Sequence, residues 1–197
     1  AGAKTEILRL VSVADVLSIR VHTSRLTEHI NKTIHFDSDR NEVYRQLEKE
    51  YYLRFNEDYI EGLHPVRSRH LMDILHSHTP IEESLIALLN LLNEDSIYDY
   101  FLSAPYLVQQ EKKEKYYKEI ASVMSERDFP QMVYSIDGLM HYEPTKQWKE
   151  NKDIFDEVFS TGGLQLFVSD SIPFNSLNRI EKLLESMEDI PKNNLSF

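Results

Sequence analysis

The sequence of 197 residues has no cysteine, only five glycines, and nowhere an apolar run of about 18 residues. Without cysteine there can be no disulfide framework, no thiol nucleophile and no thiolate metal site, and an intracellular, cytoplasmic setting is favoured. Scarce glycine leaves little room for Gly-rich loops or for a many-stranded β architecture. None of the five is spaced as Gly-x-x-x-x-Gly-Lys-Ser/Thr, so the backbone cradle of a complete P-loop ATPase is missing. Gly-x-Gly-x-x-Gly, Gly-x-Ser-x-Gly and His-Glu-x-x-His are missing too, which removes the common dinucleotide, hydrolase and zincin readings. The chain is not expected to be an enzyme by itself. The lack of an apolar run long enough to span a bilayer excludes a transmembrane helix as the expectation, and no membrane partner is expected. Residues 1–6 have neither the basic start nor the apolar stretch of a signal peptide, and no initiator methionine. The chain therefore reads as a fragment of a longer protein.

What is present favours helices around a genuine core. Hydrophobic residues make up 41%, eleven tyrosines and nine phenylalanines supply bulk, and 22 basic against 33 acidic side chains give a formal net charge of −11. Lys4 to Val21 is so densely apolar, with Ile7, Leu10, Val11, Ala14 and Leu17, that it reads as one helix buried on most sides. A short helix over Ser24 to Asn31 and a capped third one over about Asp39 to Glu50 follow. Two β-prone runs, Tyr51–Phe55 and Tyr59–Leu63, enclose the polar turn Asn56-Glu57-Asp58 and predict a hairpin. His64-Pro65 opens the next helix, with proline where its missing N–H costs nothing. Three helices and then a hairpin give the outline of a winged helix.

Beyond Pro80 the pattern is helical throughout: Ile81 to Leu92, Ile97 to Leu102, Gln109 to Ser125, Phe129 to Tyr142, Lys146 to Phe159 and Asn175 to Met187, broken at Pro105, Pro130, Pro144, Gly162-Gly163 and Pro173. Leu164 to Val168 reads as a strand or a buried connector. The expected fold is mainly α: a winged-helix domain with one β-hairpin over 1–78, a helical and conceivably repeat-like domain over 79–190, and a loose tail over 191–197.

Several clusters invite a chemical reading and most have a plainer one. His70, Asp73, His76 and His78 lie within nine residues, but on a helix His76 falls about 240° around from His70, so a solvated face is favoured over a metal site. Asp137 and His141 are spaced for a surface hydrogen bond. The mixed run Gln110 to Lys115 reads as a solvated helix face, and Glu82-Glu83 as favourable charge at a helix N-terminus. Arg67-Ser68-Arg69-His70, with Arg54 on the hairpin, is the best basic island for nucleic acid. It is small in a chain of this charge, and nucleic acid is not the expected partner.

The stretch from Tyr51 to Arg67, Tyr-Tyr-Leu-Arg-Phe-Asn-Glu-Asp-Tyr-Ile-Glu-Gly-Leu-His-Pro-Val-Arg, resembles the winged-helix part of STAND NTPases, the signal-transducing ATPases of the NACHT and NB-ARC type. These include plant disease-resistance proteins, animal NOD-like receptors and bacterial antiviral sensors. The resemblance is specific over Glu42 to His76. There the wing is followed by Met-His-Asp and a helix, and Leu63-His64-Pro65 occupies that place here, with Pro65 replacing the acidic residue. The resemblance implies that His64 reaches the β-phosphate of ADP in the intact protein. It also implies that an upstream nucleotide-binding domain of the same polypeptide supplies the phosphate loop, and that ADP or ATP is the cofactor of that parent protein and not of this chain alone. The plainer reading of His64 is that it caps its helix.

Three functions are therefore carried forward. The first is a non-catalytic segment of a STAND-type NTPase that senses nucleotide state and transmits a signal, in a setting such as antiviral defence. The second is a winged-helix regulator in which Arg54, Arg67 and Arg69 approach phosphates. The third is an acidic helical scaffold that engages other proteins through Tyr106, Tyr116, Tyr117 and Trp148.

Overall fold

The computed structural model describes residues 2–141, apart from 35, 37, 38, 51, 57 and 128 and the side chains of 125, 129, 132, 133, 136, 137 and 140. The expected elements over 146–159, 164–168 and 175–187, the tail, Trp148 and the Asp137 side chain lie outside the described residues. The chain divides into two compact units, with the division between Val108 and Gln109.

The first unit begins with α1 (Ala3–Val16), β1 (Val21–His22), α2 (Thr23–Thr33) and α3 (Arg40–Lys49). It continues through β2 (Leu53–Asn56), β3 (Tyr59–Gly62), α4 (Pro65–Leu75), α5 (Ile81–Leu91), α6 (Ile97–Ser103) and a 3-10 turn over Ala104–Leu107. The three strands form an antiparallel sheet in the order β1-β3-β2. Helix, strand, two helices and a hairpin whose second strand lies in the middle of the sheet make up the winged-helix arrangement, within a fold that is mainly α. The sequence boundary at 78/79 falls between α4 and α5, inside this first unit.

Helix α1 is the axis of the unit. Ile7, Leu10, Val11, Val13 and Ala14 are all buried, and α2, α3, β3, α4 and α5 each pack against it. A side chain of this size stabilises by roughly 1.5–3 kcal/mol when fully buried, so α1 alone organises much of the apolar gain.

Its length corrects the sequence reading, which carried the helix on to Val21. Ser18 adopts a left-handed conformation, φ 61°, and ends the helix. The Ile19 N–H then donates to the Ala14 carbonyl at 2.8 Å and the Ser18 N–H to Asp15 at 3.1 Å, the paired bonds of a Schellman stop. Ile19 folds back into the core as the apolar partner of that motif. Released from the helix, Val21 and His22 pair with Ile60 and Tyr59, adding a third strand to the expected hairpin. The His22 and Tyr59 rings face each other across that pair, 4.5 Å between centroids.

Helix α3 starts where the sequence placed it. The Asp39 side chain accepts from the Asn41 N–H at 2.9 Å and caps it. Tyr44 on its inner face sits edge-on to Phe55 of β2 at 5.6 Å, and its hydroxyl lies 2.9 Å from Thr27 Oγ1 on α2. The Thr27 hydroxyl spends its hydrogen on the Thr23 carbonyl at 2.7 Å, so Tyr44 is the donor in that pair. Burial raises the Tyr44 phenol above its ordinary value. One side chain thus joins α2, α3 and the wing.

The second unit, in its described part, contains a 3-10 turn over Gln110–Lys112, then α7 (Lys113–Ser125) and α8 (Phe129–Met140). The charged face expected on α7 is present as Glu114–Lys118 and Lys115–Glu119 pairs at 3.0 and 3.6 Å, spaced four apart. Tyr116 and Tyr117, however, are buried with Ile120 and Met124 on the opposite side. They are core residues and cannot serve as the exposed protein-binding anchors that the scaffold reading assigned to them.

Candidate functional site

Arg54, His64, Arg67 and Arg69 lie in one region of the first unit: the wing, the N-terminus of α4 and its outer face. Gly62, at the end of β3, is what allows α4 to start so close to α1. A Cβ there would overlap Ser68 Oγ and come within 2.7 Å of Asp15 Oδ2, so the last residue of the strand has to be glycine for both helices to approach it. After a bend at Leu63, His64 follows in extended backbone and Pro65 begins the helix.

His64 is exposed and occupies the N-cap position of α4. Its Nδ1 accepts from the Val66 N–H at 3.2 Å, which satisfies one of the helix's free amides. With Nδ1 held as an acceptor, the neutral ring carries its proton on Nε2, and that edge is the one left to donate to a ligand oxygen. The capping role weighed from the sequence is therefore present in the geometry. It is compatible with an anion contact, because capping occupies one nitrogen and an anion needs the other.

Around His64 lies the most apolar exposed surface of the first unit. Leu63 is 40% exposed, Val66 72% and Ile74 53%. Val66, His70 and Ile74 recur every four residues and so lie along one face of α4, with Leu63 just ahead of it. These side chains, with His70 between Val66 and Ile74, leave apolar surface uncovered along this face of α4.

The three arginines that a nucleic-acid reading would use are all near this region and are all engaged. Arg54 Nη2 and Nε reach Glu61 Oε2 at 2.9 and 3.0 Å, while Arg20 Nε lies 3.1 Å from the other oxygen of the same carboxylate. Glu61 is thus the shared anion of the wing, nearly buried between two half-exposed guanidinium groups. Arg67 stacks over the Tyr52 ring, 4.8 Å from its centroid, and Arg69 pairs with Asp73 at 3.5 Å. Arg54 and Arg69 thus pair with carboxylates and Arg67 with an aromatic face, which leaves less of them for phosphates. The third helix, α3, presents Arg45, Glu48 and Lys49 outward, a surface of mixed sign.

The histidine cluster on α4 and just after it comes apart in the structure. Asp73 turns to Arg69, whereas His76 turns inward: its Nδ1 lies 2.8 Å from the Met72 carbonyl and its Nε2 2.9 Å from Ser84 Oγ on α5. Among the described residues no group of three or more His, Asp or Glu is arranged to hold a metal ion. A serine hydrogen-bonded to a histidine that is itself oriented by a third group resembles a nucleophile pair. Here Ser84 is fully buried, so no substrate carbonyl can reach its hydroxyl.

Sequence reasoning did not find this interior group. Glu6 and Arg9 of α1 form a 2.7 Å ion pair, Glu6 itself being buried, close enough to both His29 of α2 and His76 for their charges to be felt. Burial is the largest influence on the two imidazoles and pushes both below the ordinary histidine value. The signal available in the sequence was slight, since Glu6 and Arg9 are two of four charged residues in α1. The fold defined by these elements is a winged helix extended by α5 and α6. Comparison with protein-family models, with curated proteins and with solved structures returned no match.

Proposed function

We propose that this chain is a non-catalytic segment of a larger STAND-type NTPase, in which the winged helix reads the nucleotide state of an upstream domain and passes it on through the helices that follow. The observation that supports this most directly is the state of His64. It stands exposed at the start of α4, with Nδ1 used in capping and Nε2 available as a donor beside a helix N-terminus, where free N–H groups and the helix dipole favour an anion. The uncovered stripe of Leu63, Val66 and Ile74 next to it gives the partner domain an apolar surface to close upon. In this reading ADP, held mainly by the upstream phosphate loop, stabilises the closed arrangement through its extra contact with His64. Exchange for ATP removes that preference and frees the segment to signal.

The test is made in the longer polypeptide, by measuring retained ADP after purification and signalling without a trigger. His64→Ala removes both the cap and the phosphate contact, whereas His64→Asn keeps a good cap and, with a side chain shorter than the imidazole, draws the outward donor back from the phosphate. Loss of ADP and spontaneous signalling in both variants is the expected outcome. Unchanged ADP content and silence in His64→Asn would sink the proposal. The DNA-regulator reading has less support because Arg54 and Arg69 pair with carboxylates and Arg67 stacks on Tyr52. The scaffold reading loses Tyr116 and Tyr117, and retains the half-exposed Tyr106.

A further inference from the structure

Helix α5 is fastened to the winged helix by polar contacts at its two ends. At the far end Arg25 of α2 donates from Nη1 to the Leu92 carbonyl at 2.7 Å and to that of Leu91 at 3.4 Å, two carbonyls at the end of the helix. At the near end the fastening is His76, in the joint between α4 and α5. The Met72 carbonyl can only accept, so His76 Nδ1 carries the proton and donates to it. Nε2 is therefore an acceptor, and the fully buried Ser84 hydroxyl donates to it. This chain of bonds exists only for the neutral ring. A proton on Nε2 turns the acceptor into a donor, sets it against the Ser84 hydrogen, and places a new cation in a half-buried position.

We propose that the His76–Ser84 contact is a proton-operated latch that holds the first turns of α5 against the winged helix when His76 is neutral and lets them go when it is protonated. The charged surroundings fit this behaviour. From α1, Arg9 opposes a second cation and Glu6 favours one, but Glu6 is already committed to Arg9 at 2.7 Å. From α4, Asp73 favours the cation and is engaged with Arg69. His29 of α2 feels the same Glu6–Arg9 pair, and burial lowers it as well. Glu82 and Glu83 occupy the first turn of α5, ahead of Ser84. Burial outweighs these charges, so the neutral ring is the resting form. The latch stands independently of any nucleotide, because all of its atoms belong to the first unit.

The experiment is amide hydrogen exchange of the full chain at pH 7.5 and 5.5, each rate corrected for the intrinsic pH dependence. In the unmodified chain the amides of 84–87 lose protection on acidification, by at most about tenfold, because pH 5.5 lies about one unit below the free histidine value. The end of α5 held by Arg25 keeps its protection. His76→Gln abolishes this response and His29→Gln retains it. Ser84→Ala, which leaves His76 in place, shows the loosened near end already at pH 7.5 and a flattened response. No change in the unmodified chain overturns the proposal, as does an equal loss across the whole unit, which is general acid destabilisation. A response in His76→Gln equal to that of the unmodified chain also overturns it and transfers the effect to His29 or Glu6.

Discussion

Gly62→Ala is the substitution for which the structure makes the sharpest demand. The new methyl group would overlap Ser68 Oγ and lie 2.7 Å and 2.9 Å from Asp15 Oδ2 and Cγ. The two neighbours differ in how they can respond. The Asp15 carboxylate is a flexible end whose Oδ2 accepts no hydrogen bond, so it can turn aside. Ser68 is buried on α4, its oxygen is one bond from Cβ, and relief requires the helix itself to shift. Overpacking a tight contact costs about 1–3 kcal/mol, and 2 kcal/mol corresponds to about a 30-fold change in an opening equilibrium. The readout is hydrogen exchange in α1 and α4, which reports the first unit without assuming that both units unfold together. Gly62→Ala should lower protection there by roughly 10- to 100-fold. Adding Ser68→Ala removes the overlapping atom and should recover more than half of the loss, a coupling of about 1 kcal/mol or more in a double-mutant cycle. If Gly62→Ala is silent, or if the pair is no better than the single change, the inferred crowding between strand end and helix is wrong.

Other expectations follow from individual contacts. Arg25→Ala removes the side-chain bonds to the Leu91 and Leu92 carbonyls and should loosen the C-terminal turn of α5 by about 1–2 kcal/mol in amide exchange, with α1 unaffected. Asp39→Ala should cost about 1 kcal/mol in denaturant unfolding of the first unit through loss of the α3 cap, and Asp39→Asn much less. Glu61→Gln neutralises the carboxylate shared by Arg20 and Arg54. Because both arginines are more than half exposed, the loss should stay near 1 kcal/mol and shrink in high salt. His29 and His76 both titrate lower in the fold than in the unfolded chain, so on acidification the unfolded state takes up protons first. Urea midpoints should therefore fall as the pH drops from about 6.5 through the lower folded values, and His29→Gln with His76→Gln should flatten that slope.

Local chemistry made much of the first unit readable in advance. The two β-prone runs about Asn56-Glu57-Asp58, Pro65 opening a helix and the stripe Leu85, Leu88, Leu89 all follow rules that act within a few residues. The end of α1 was misread because its left-handed stop is a serine, where glycine or asparagine is the usual sign. Strand β1 was missed for a different reason: two residues carry no alternation, and what makes them a strand is Ile60, far along the chain. Tyr116 and Tyr117 looked like surface residues because they follow a charged run, yet the helical turn carries them to the opposite side. At the candidate site His64 was legible as a helix opener. The His76–Ser84 bond was not, since it depends on how α5 folds back over α4.

The central place of β3 and the late arrival of α4 also govern how this unit can form during translation. Helix α1 finds its main partners only after Leu75 has been made, 59 residues beyond its own last residue Val16. At 5–20 residues per second that is a wait of roughly 3–12 s, during which a strongly apolar helix has left the ribosome without its protein cover. Binding sites for a holdase chaperone should accordingly map to Ile7–Ala14 in the nascent chain and disappear once α4 is exposed. A ribosome stalled just before Tyr59 would present the segment in its most aggregation-prone form.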